Sequence, residues 1–236
     1  MKRIQFKDLI EFESEDYIVI SKPPHIATLE DRASNVNILD MARGYCSTAQ
    51  VGHRLDKETS GVLAIAKNED AYRHLAMQFQ ERKVDKIYHA VVDGAHEFHD
   101  MVIEAPIQAM STGLVKISPS GKPASTLVDV VEHYKMHSLI RCKPISGRMH
   151  QIRVHLSSIG APIVNDPDYG GEPVYLSKLK RRFKLKKFTE ELPLIKRVAL
   201  HALKLRFLDL KGDLVEVEAT YPKDFRVLVK QLSANI

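Results

Sequence analysis

The stretch of residues 52–61 places an aspartate between two basic residues in a segment bounded by glycines. Asp56 stands two residues after Arg54 and directly before Lys57. Because nearby positive charge favours the ionised form of a carboxyl group, we expect a carboxylate that can act as a nucleophile or as a base. The alternative is a surface turn whose aspartate only accepts backbone hydrogen bonds, the more common role of an isolated aspartate in such a loop. Other parts of the chain must distinguish the two.

Two buried strands are predicted close to this stretch. Residues 17–20 form a short apolar run that ends before a pair of prolines, since proline donates no hydrogen bond to a sheet. Residues 62–66 form another apolar run directly after the stretch, so Asp56 comes just before a core strand. Residues 86–92 alternate along a third strand and place Tyr88 on one of its faces.

The remaining pattern combines helices with antiparallel strands. Helices are predicted over residues 37–43, from Asn68 onward, within residues 146–160, and over residues 224–232. The helix after Asn68 is expected to bury Tyr72, Leu75, Ala76 and Phe79. Strands are predicted over residues 126–134 and 138–143, which form an antiparallel pair, and over residues 200–208 and 214–219. This pattern favours a mixed α+β fold dominated by antiparallel strands.

The composition is that of an ordinary globular protein. The 236 residues are 44% hydrophobic, enough for one large domain or two small ones with a buried core. The 35 Lys and Arg against 30 Asp and Glu give a formal charge of +5, which is compatible with a polyanionic partner without requiring one. The two cysteines lie far apart, so neither a disulfide framework nor a zinc ribbon is indicated. No apolar run approaches transmembrane length, and we expect a cytoplasmic protein.

The most basic window of the chain covers residues 178–187. Its cations, among them Lys180, Arg181 and Arg182, are interleaved with apolar residues that include Phe183. Such a segment suits contact with nucleic acid, because cations neutralise phosphates while an aromatic ring packs on bases. The alternative is a helix or loop face that is simply solvated, as charge runs usually are.

The motif His53-Arg54-Leu55-Asp56, followed by Thr59-Ser60-Gly61, resembles the catalytic motif of the RluA-type family of RNA pseudouridine synthases. Further segments resemble that family in the same order: Ile18-Val19-Ile20-Ser21-Lys22-Pro23-Pro24, Lys86-x-Tyr88-x-Ala90-x-Val92-x-Gly94, Gly147-Arg148-x-His150-Gln151-Ile152-Arg153-x-His155-Leu156, Asp166-x-x-Tyr169-Gly170 and Leu200-His201-Ala202. The resemblance implies an α+β pseudouridine synthase-like core, with a mainly antiparallel mixed sheet, flanking helices and a central catalytic cleft. It also implies an isomerase that converts uridine to pseudouridine within RNA, with no cofactor and no metal.

The chain departs from the family pattern at three positions. Met149 stands where Thr or Ser is usual, Asn165 where Gly is usual, and His25 where Gly often follows the prolines. These departures concern the shape of loops more than the chemistry. Many relatives also carry an N-terminal RNA-binding S4 domain. Because the first predicted core strand begins within about twenty residues of Met1, we expect a single catalytic domain over residues 1–236 without an S4 domain.

The family's reaction breaks the C1′–N1 bond of uridine, turns the uracil and joins C1′ to C5. We expect Asp56 to act on the ribose, either as a nucleophile at C1′ or as the base that removes the C2′ proton. Arg153 is expected to pair with Asp56 and keep it ionised, because its bidentate fork suits a carboxylate better than lysine does. Tyr88 is expected to stack on the flipped uracil, and its hydroxyl to assist removal of the C5 proton. The alternative for Arg153 is a surface arginine on an amphipathic helix. The alternative for Tyr88 is packing with a satisfied hydroxyl.

The other site residues are expected to bind RNA. Arg54 is the candidate for filling the space that the flipped nucleotide vacates, which lowers the cost of unstacking. Further substrate-binding candidates are His53, Arg148, His150, Lys180, Arg181 and Arg182. His53, Thr59 and Ser60 are also expected to shape the loop through local hydrogen bonds. The expected partner is ribosomal or transfer RNA, processed by a monomer that does not associate with a membrane.

Three alternatives come from other classes of protein. Asp56 and Asp166 together would suit a glycoside hydrolase, but that site needs one carboxyl with a raised pKa, which basic surroundings oppose. His150 and His155 suggest a metal, but a spacing of five residues on a helix does not place both on one face. A non-catalytic RNA-binding protein would use the same cations and stacking surfaces. The presence of Asp56 beside Arg54 argues against it, since a carboxylate near phosphates does not help binding.

Overall fold

The computed structural model describes residues 4–30, 36–181, 183–185 and 188–235, and these residues form two compact units. The first unit comprises the residues up to Tyr88 together with His201–Thr220. The second comprises His89–Leu200 together with the residues from Tyr221 onward. Arg182, one of the predicted RNA-binding residues, lies outside the described residues.

Twelve strands and five helices occur in the described part of the chain. The strands are β1 (Ile10–Glu13), β2 (Tyr17–Lys22), β3 (Gln50–Val51), β4 (Ser60–Ala66), β5 (Asp85–Asp93), β6 (Met101–Glu104), β7 (Ile107–Ala109), β8 (Val115–Ile117), β9 (Ser125–His133), β10 (His137–Pro144), β11 (Leu200–Leu208) and β12 (Leu214–Glu218). The helices are α1 (Ile38–Tyr45), α2 (Glu69–Gln80), α3 (Gln151–Ser158), α4 (Leu176–Leu179) and α5 (Lys223–Ser233). The predicted elements are therefore confirmed in type and order.

The first unit is built on two strands that are buried along their length. All seven residues of β4 are buried, as are five of the six residues of β2, so both read as apolar runs instead of alternating patterns. The two strands pair antiparallel from Tyr17 opposite Ala66 to Lys22 opposite Gly61. Strand β1 pairs antiparallel with β2, and β12 pairs antiparallel with β11. The end of β4 that carries Gly61 therefore emerges from a rigid core.

A parallel pairing of β4 with β11 explains the glycine that closes the motif. His201 lies opposite Ser60, and Ala202 lies opposite Gly61. Gly61 has a φ of 115°, and a Cβ at this position would lie 2.0 Å from the carbonyl oxygen of Ala202. No side chain fits there, and the left-handed backbone also favours glycine. The motif thus ends where β4 and β11 approach most closely.

Helix α2 begins as predicted but buries a different set of residues. The side chain of Asn68 caps the helix by accepting a hydrogen bond from the Ala71 N–H. Of the expected face only Leu75 is fully buried, whereas Tyr72, Ala76 and Phe79 are half-buried. The fully buried positions are Ala71, Leu75 and Gln78. Gln78 is tolerated in the interior because its amide exchanges two hydrogen bonds with the backbone of Leu208, at 2.8 and 2.9 Å.

The second unit contains the predicted antiparallel pair. Strands β9 and β10 pair antiparallel, and β6 pairs antiparallel with β9. Strands β7 and β8 form a separate two-stranded sheet. Apart from the parallel contact of β4 with β11, the pairings described for the two units are antiparallel, as the sequence predicts.

Helix α3 starts later than its predicted window suggests. It begins at Gln151, because His150 has a left-handed backbone with a φ of 51° and stands outside the helix. Within the predicted window, His150 therefore precedes the helix that carries Arg153. The helix ends at Ser158, and Gly160 follows with a φ of 75°, as predicted for a helix terminator.

Two of the departures from the family pattern occupy left-handed positions. His25 has a φ of 68° and Asn165 has a φ of 58°. Glycine adopts such angles without steric cost, which is a physical reason for its use there, and asparagine is among the side chains that tolerate them best. The loops thus keep a glycine-like backbone although both residues carry a side chain.

Within the described residues, no helix is both long and apolar enough to cross a lipid bilayer.

Candidate functional site

The loop that carries Asp56 directs three successive side chains into different environments. Arg54 is exposed, Leu55 is buried in the core of the first unit, and Asp56 is half-buried. The loop turns directly after the carboxylate, because the Thr59 N–H donates to the Asp56 carbonyl at 3.0 Å. Burial of Leu55 anchors the loop between its two charged neighbours. Arg54 therefore reaches solvent while Asp56 stays close to the core.

Lys22 explains why the proline-rich turn accompanies the Asp56 motif. Its side chain is fully buried, and its Nζ donates to the carbonyls of Pro23, Ile26 and Lys57 at 3.1, 2.9 and 3.2 Å. The His25 N–H donates to the same Lys57 carbonyl at 2.8 Å. A buried ammonium surrounded by carbonyls ties the turn to the peptide that follows Asp56. No periodic pattern in the sequence indicates this contact.

Ser60 and His201 form a second anchor beneath the loop. Both are buried, and Ser60 Oγ lies 2.9 Å from His201 Nδ1. His201 Nε2 lies 3.2 Å from the Ala219 carbonyl, which can only accept, so Nε2 carries the proton and Ser60 donates to Nδ1. The predicted role of Ser60 in shaping the loop by a hydrogen bond is consistent with this contact. The Leu200-His201-Ala202 motif therefore contributes to the support of the Asp56 loop.

His53 faces the interior of the first unit. Its Nε2 accepts a hydrogen bond from the Ala64 N–H at 3.0 Å, and its ring stacks on Phe79 with the centroids 4.2 Å apart. Burial, followed by the positive charge of Lys86, lowers the pKa of His53 to about 3. His53 is thus neutral and serves to shape the loop, while its assignment to RNA binding stays a prediction.

Tyr88 is electrostatically coupled to Asp56 within the first unit. Burial, followed by the negative charge of Asp56, raises the pKa of the Tyr88 phenol well above its ordinary value. The ring is half-buried and packs against the core of this unit. Two of the three predicted catalytic residues, Asp56 and Tyr88, therefore lie in the same unit and within electrostatic range of each other, and the phenol stays protonated at neutral pH.

Arg153, the third predicted catalytic residue, binds two carboxylates of the second unit. Its Nε and one terminal nitrogen donate to Asp166 at 2.8 and 2.7 Å, and it also donates to Asp168 at 2.7 Å. The side chain of Asp166 is fully buried and that of Arg153 is 8% exposed. Sequence reasoning missed Asp168, which occupies an unspecified position of the Asp166-x-x-Tyr169-Gly170 motif. The predicted pairing of Arg153 with Asp56 joins residues of different units and stays a prediction.

Tyr169 connects Arg153 with His150. The Arg153 guanidinium lies 4.8 Å from the centre of the Tyr169 ring, and His150 Nδ1 lies 3.0 Å from its hydroxyl. The Val115 N–H donates to the same hydroxyl at 3.1 Å, which ties the β7–β8 sheet to this position. His150 and Arg153 therefore meet around the Tyr169 side chain.

Gln151 holds the loop that presents Arg148. Its side-chain oxygen accepts hydrogen bonds from Ser146 Oγ at 2.7 Å and from the Arg148 N–H at 3.0 Å. Its side-chain nitrogen donates to the Ser125 carbonyl at 2.9 Å. The Arg148 side chain is exposed, as an RNA-binding role requires. Gln151 is a further site residue that sequence reasoning passed over, although it stands inside a quoted motif.

The basic segment exposes its described cations. Lys180, Arg181 and Lys184 are exposed, Leu179 and Phe183 are half-buried, and Leu185 is exposed. Helix α4 covers only the first residues of the segment, which continues without regular structure where it is described. The exposed cations suit a surface that contacts phosphates.

The contacts of Asp166 and His155 bear on the alternative functions. Asp166 is buried and bound to Arg153, which leaves it poorly placed to act as the acid of a glycoside hydrolase. His155 is buried, with its ring nitrogens 2.9 Å from Thr126 Oγ1 and from the Ala105 carbonyl. A histidine with both nitrogens engaged in this way is a structural residue instead of a metal ligand.

One cluster of potential metal ligands is found among the described residues. Side-chain atoms of His99, Asp100 and Asp129 lie within 4.8 Å of one another. Asp129 already accepts hydrogen bonds from Arg141 at 2.9 Å and from the Asp100 N–H at 2.8 Å. These partners account for the carboxylate without an ion, so we assign no metal to the cluster.

Comparison with known proteins gives relatives over nearly the whole chain. Residues 16–158 match the family model described as RNA pseudouridylate synthase. The ribosomal large subunit pseudouridine synthase C of Salmonella typhi is 34% identical over 97% of this chain and 71% of its own length. The protein of that name from Escherichia coli K12 is 32% identical over 95% of this chain and 70% of its own length. The protein of that name from Vibrio vulnificus is 34% identical over 87% of this chain and 63% of its own length.

Solved structures support the predicted fold. The human RNA pseudouridylate synthase domain containing 1 superposes with a TM-score of 0.72 at 29% identity, covering 94% of this chain and 87% of that one. The human RNA pseudouridylate synthase domain containing 4 superposes with a TM-score of 0.73 at 23% identity, covering 97% of this chain and 95% of that one. At this identity the likeness supports the fold alone. The predicted α+β fold class is confirmed. Since the family model covers more than half of the chain, this protein belongs to the RNA pseudouridylate synthase family.

Proposed function

We propose that this chain isomerises uridine to pseudouridine in RNA and that Asp56 is its catalytic carboxylate. The observation that carries the proposal is a half-buried Asp56 in a loop that hydrogen bonds of Lys22 and Ser60 hold to the core of the first unit. Membership of the family supports the class of reaction. The role of Asp56 follows from the chemistry, since a half-buried carboxylate beside a phenol suits proton transfer and nucleophilic attack.

The reaction balances without a cofactor. As a nucleophile, Asp56 forms a bond to C1′ while the C1′–N1 bond breaks, and attack by C5 of the turned uracil releases the carboxylate again. As a base, Asp56 removes the C2′ proton as N1 leaves, and the proton returns when C1′ joins C5. On either path C5 loses a proton and N1 gains one. No oxidant, reductant or external energy enters the balance.

Tyr88 is proposed to stack on the uracil and to mediate the loss of the C5 proton. Because its raised pKa keeps the phenol protonated at neutral pH, it accepts the C5 proton only as its own proton passes to the Asp56 carboxylate, and the gain of a proton at N1 completes the balance. Asp56 is the neighbouring carboxylate whose charge Tyr88 experiences. Tyr88 therefore acts as a relay and not as a free phenolate.

The relay predicts that Tyr88→Phe keeps RNA affinity and loses turnover. Phenylalanine preserves the stacking surface but carries no hydroxyl, so kcat should fall by about 100-fold or more, the range of general acid–base contributions. Tyr17→Phe is the matched control, because Tyr17 is a buried tyrosine of the same unit whose hydroxyl contacts His74 at 3.0 Å. Its kcat should stay at the wild-type value. Single-turnover rates and RNA affinity check this, and equal turnover by Tyr88→Phe would show that its hydroxyl is idle.

The basic segment is proposed to bind RNA phosphates through Lys180 and Arg181. Changing both to glutamine should weaken binding and reduce the slope of log K against log salt by about 0.7 for each lost phosphate contact. Lys223→Gln with Arg226→Gln removes the same charges from exposed positions on α5 and serves as the control. RNA binding measured at several salt concentrations checks this. A slope that stays unchanged in the Lys180 and Arg181 variant speaks against the segment as an RNA contact.

Ribosomal RNA is the proposed substrate, with transfer RNA as the other candidate. The names of relatives with 32–34% identity refer to the ribosomal large subunit, which supports the first choice. Mapping of pseudouridines in total RNA from cells with and without this protein tests reaction and substrate together. Loss of a pseudouridine from large-subunit ribosomal RNA in cells without the protein supports the proposal. Loss of one from transfer RNA instead identifies transfer RNA as the substrate, and an unchanged map contradicts the proposed function.

The sequence supports three further proposals. The chain acts as one catalytic domain, it acts as a monomer, and it acts in the cytoplasm.

A further inference from the structure

Thr28 makes an unusual contact with the loop that carries Asp56. Its side chain is buried, with 3% of the residue exposed. The Thr28 hydroxyl accepts a hydrogen bond from the Leu55 N–H at 3.1 Å and donates one to the Leu55 carbonyl at 2.8 Å. One hydroxyl thus satisfies both backbone groups of the residue between Arg54 and Asp56, as a neighbouring strand would.

The backbone of Thr28 is itself fixed to the start of helix α1. The Thr28 carbonyl accepts from the Leu39 N–H at 3.1 Å, and the carbonyl before it, that of Ala27, accepts from the Ile38 N–H at 2.9 Å. Ile38 is fully buried in the core of the first unit. Thr28 therefore connects the loop to a helix that cannot move without disturbing the core.

The peptide after Asp56 is held from the same segment. The Lys57 carbonyl accepts from the His25 N–H and from Lys22 Nζ, at 2.8 and 3.2 Å. Asp56 consequently lies between two peptide units whose hydrogen bonds come from residues 22–28. Of these contacts, the one made by Thr28 lies between Asp56 and Arg54, so it controls the directions in which the carboxylate and the guanidinium leave the loop.

We propose that Thr28 is a positioning residue for the isomerisation proposed above, acting through the Leu55 backbone to orient Asp56 and Arg54. Without the hydroxyl, the buried N–H and C=O of Leu55 lose a partner that water does not readily replace. The loop then shifts toward another partner and moves the carboxylate from its reacting position. Thr28 touches neither ribose nor base in this role, and its effect reaches the reaction only through Asp56 and Arg54.

The test compares Thr28→Val with Thr28→Ser. Valine keeps the shape and removes the hydroxyl, so kcat should fall by about 10- to 100-fold, as expected for a misplaced catalytic group, with KM changed less than about threefold. Serine keeps the hydroxyl and should retain kcat within about threefold. Thr48→Val is the control, since the Thr48 hydroxyl donates to the Lys67 carbonyl in the same unit. Its kcat should equal that of the wild type.

Three results would overturn the role of Thr28. These are a wild-type kcat in Thr28→Val, an equal loss of kcat in Thr28→Val and Thr48→Val, and a loss in Thr28→Ser as large as that in Thr28→Val. If the valine variant does not fold, hydrogen exchange of the Leu55 amide is measured in the wild-type protein. Slow exchange supports the hydrogen bond from the Leu55 N–H to the Thr28 hydroxyl, and fast exchange contradicts it. If the wild-type chain forms no pseudouridine, the proposed function is refuted. The hydrogen exchange of the Leu55 amide still tests the contact with Thr28 in that case.

Discussion

Asp56→Asn should lose pseudouridine formation by on the order of 1,000-fold or more while the chain continues to bind RNA. The asparagine amide has nearly the same size, and the hydrogen bond from the Thr59 N–H to the carbonyl of residue 56 does not depend on the side chain. It is neither a nucleophile toward C1′ nor a base toward the C2′ proton, so both paths proposed for the reaction stop at their first step. Removing one negative charge also lessens repulsion of phosphates, so RNA affinity should stay equal or rise slightly.

Asp70→Asn is the matched control for this variant. Asp70 is an exposed aspartate in the first turn of α2, in the same unit as Asp56. The same change of charge there should leave turnover at the wild-type rate and cost stability only through the helix dipole, by about 0.3–1 kcal/mol. Single-turnover kinetics and RNA binding of both variants check the prediction. An equal loss of turnover in Asp56→Asn and Asp70→Asn would show that the effect comes from the change in net charge and not from chemistry at Asp56.

Arg153→Met should abolish activity and also destabilise the protein. Asp166, whose side chain is fully buried, would keep a charge without its bidentate partner, which typically costs about 3–5 kcal/mol in the free energy of unfolding. Arg141→Met is the comparison, because Arg141 pairs with Asp129 at 2.9 Å with half of its side chain exposed. Asp129 is buried but keeps its hydrogen bond from the Asp100 N–H, and the arginine of this pair is solvated, so its loss should cost less than the loss of Arg153. Denaturant unfolding of the two variants measures the difference.

A double variant separates the structural role of Arg153 from the catalytic one. Arg153→Met with Asp166→Asn removes both members of the buried charge pair and should recover part of the lost stability. If Arg153 also pairs with Asp56, as the sequence predicts, activity should stay absent, because methionine cannot form that pair. Recovery of activity together with stability would show that Arg153 only supports the second unit. An unchanged free energy of unfolding in Arg153→Met would contradict the buried ion pair itself.

The sequence predicted those parts of the fold and site whose cause is local. Strand β4 follows from a continuous apolar run, and the start of α2 follows from Asn68 as its cap. The Asp56 loop was recognised because its charges and glycines lie within ten residues. In each case neighbouring residues alone fix the structure, so a single sequence contains the whole signal.

Features that depend on distant partners were not predictable in this way. The Arg153 carboxylates lie 13 and 15 residues away in a separate segment. The start of α3 depends on the left-handed backbone of His150, which an apolar pattern does not reveal. The Thr28 hydroxyl binds a backbone 27 residues along the chain. Contacts between a side chain and a remote peptide leave no periodicity in the sequence.

Nucleoside analysis of ribosomal RNA after incubation with the purified chain, without an added cofactor, tests the role of Asp56 in the reaction. Wild-type protein and Asp56→Asn are compared at equal RNA occupancy. The wild type should convert uridine to pseudouridine one for one, and Asp56→Asn should form none above background. Equal amounts of pseudouridine from both proteins would contradict the assignment of the reaction to the Asp56 carboxylate.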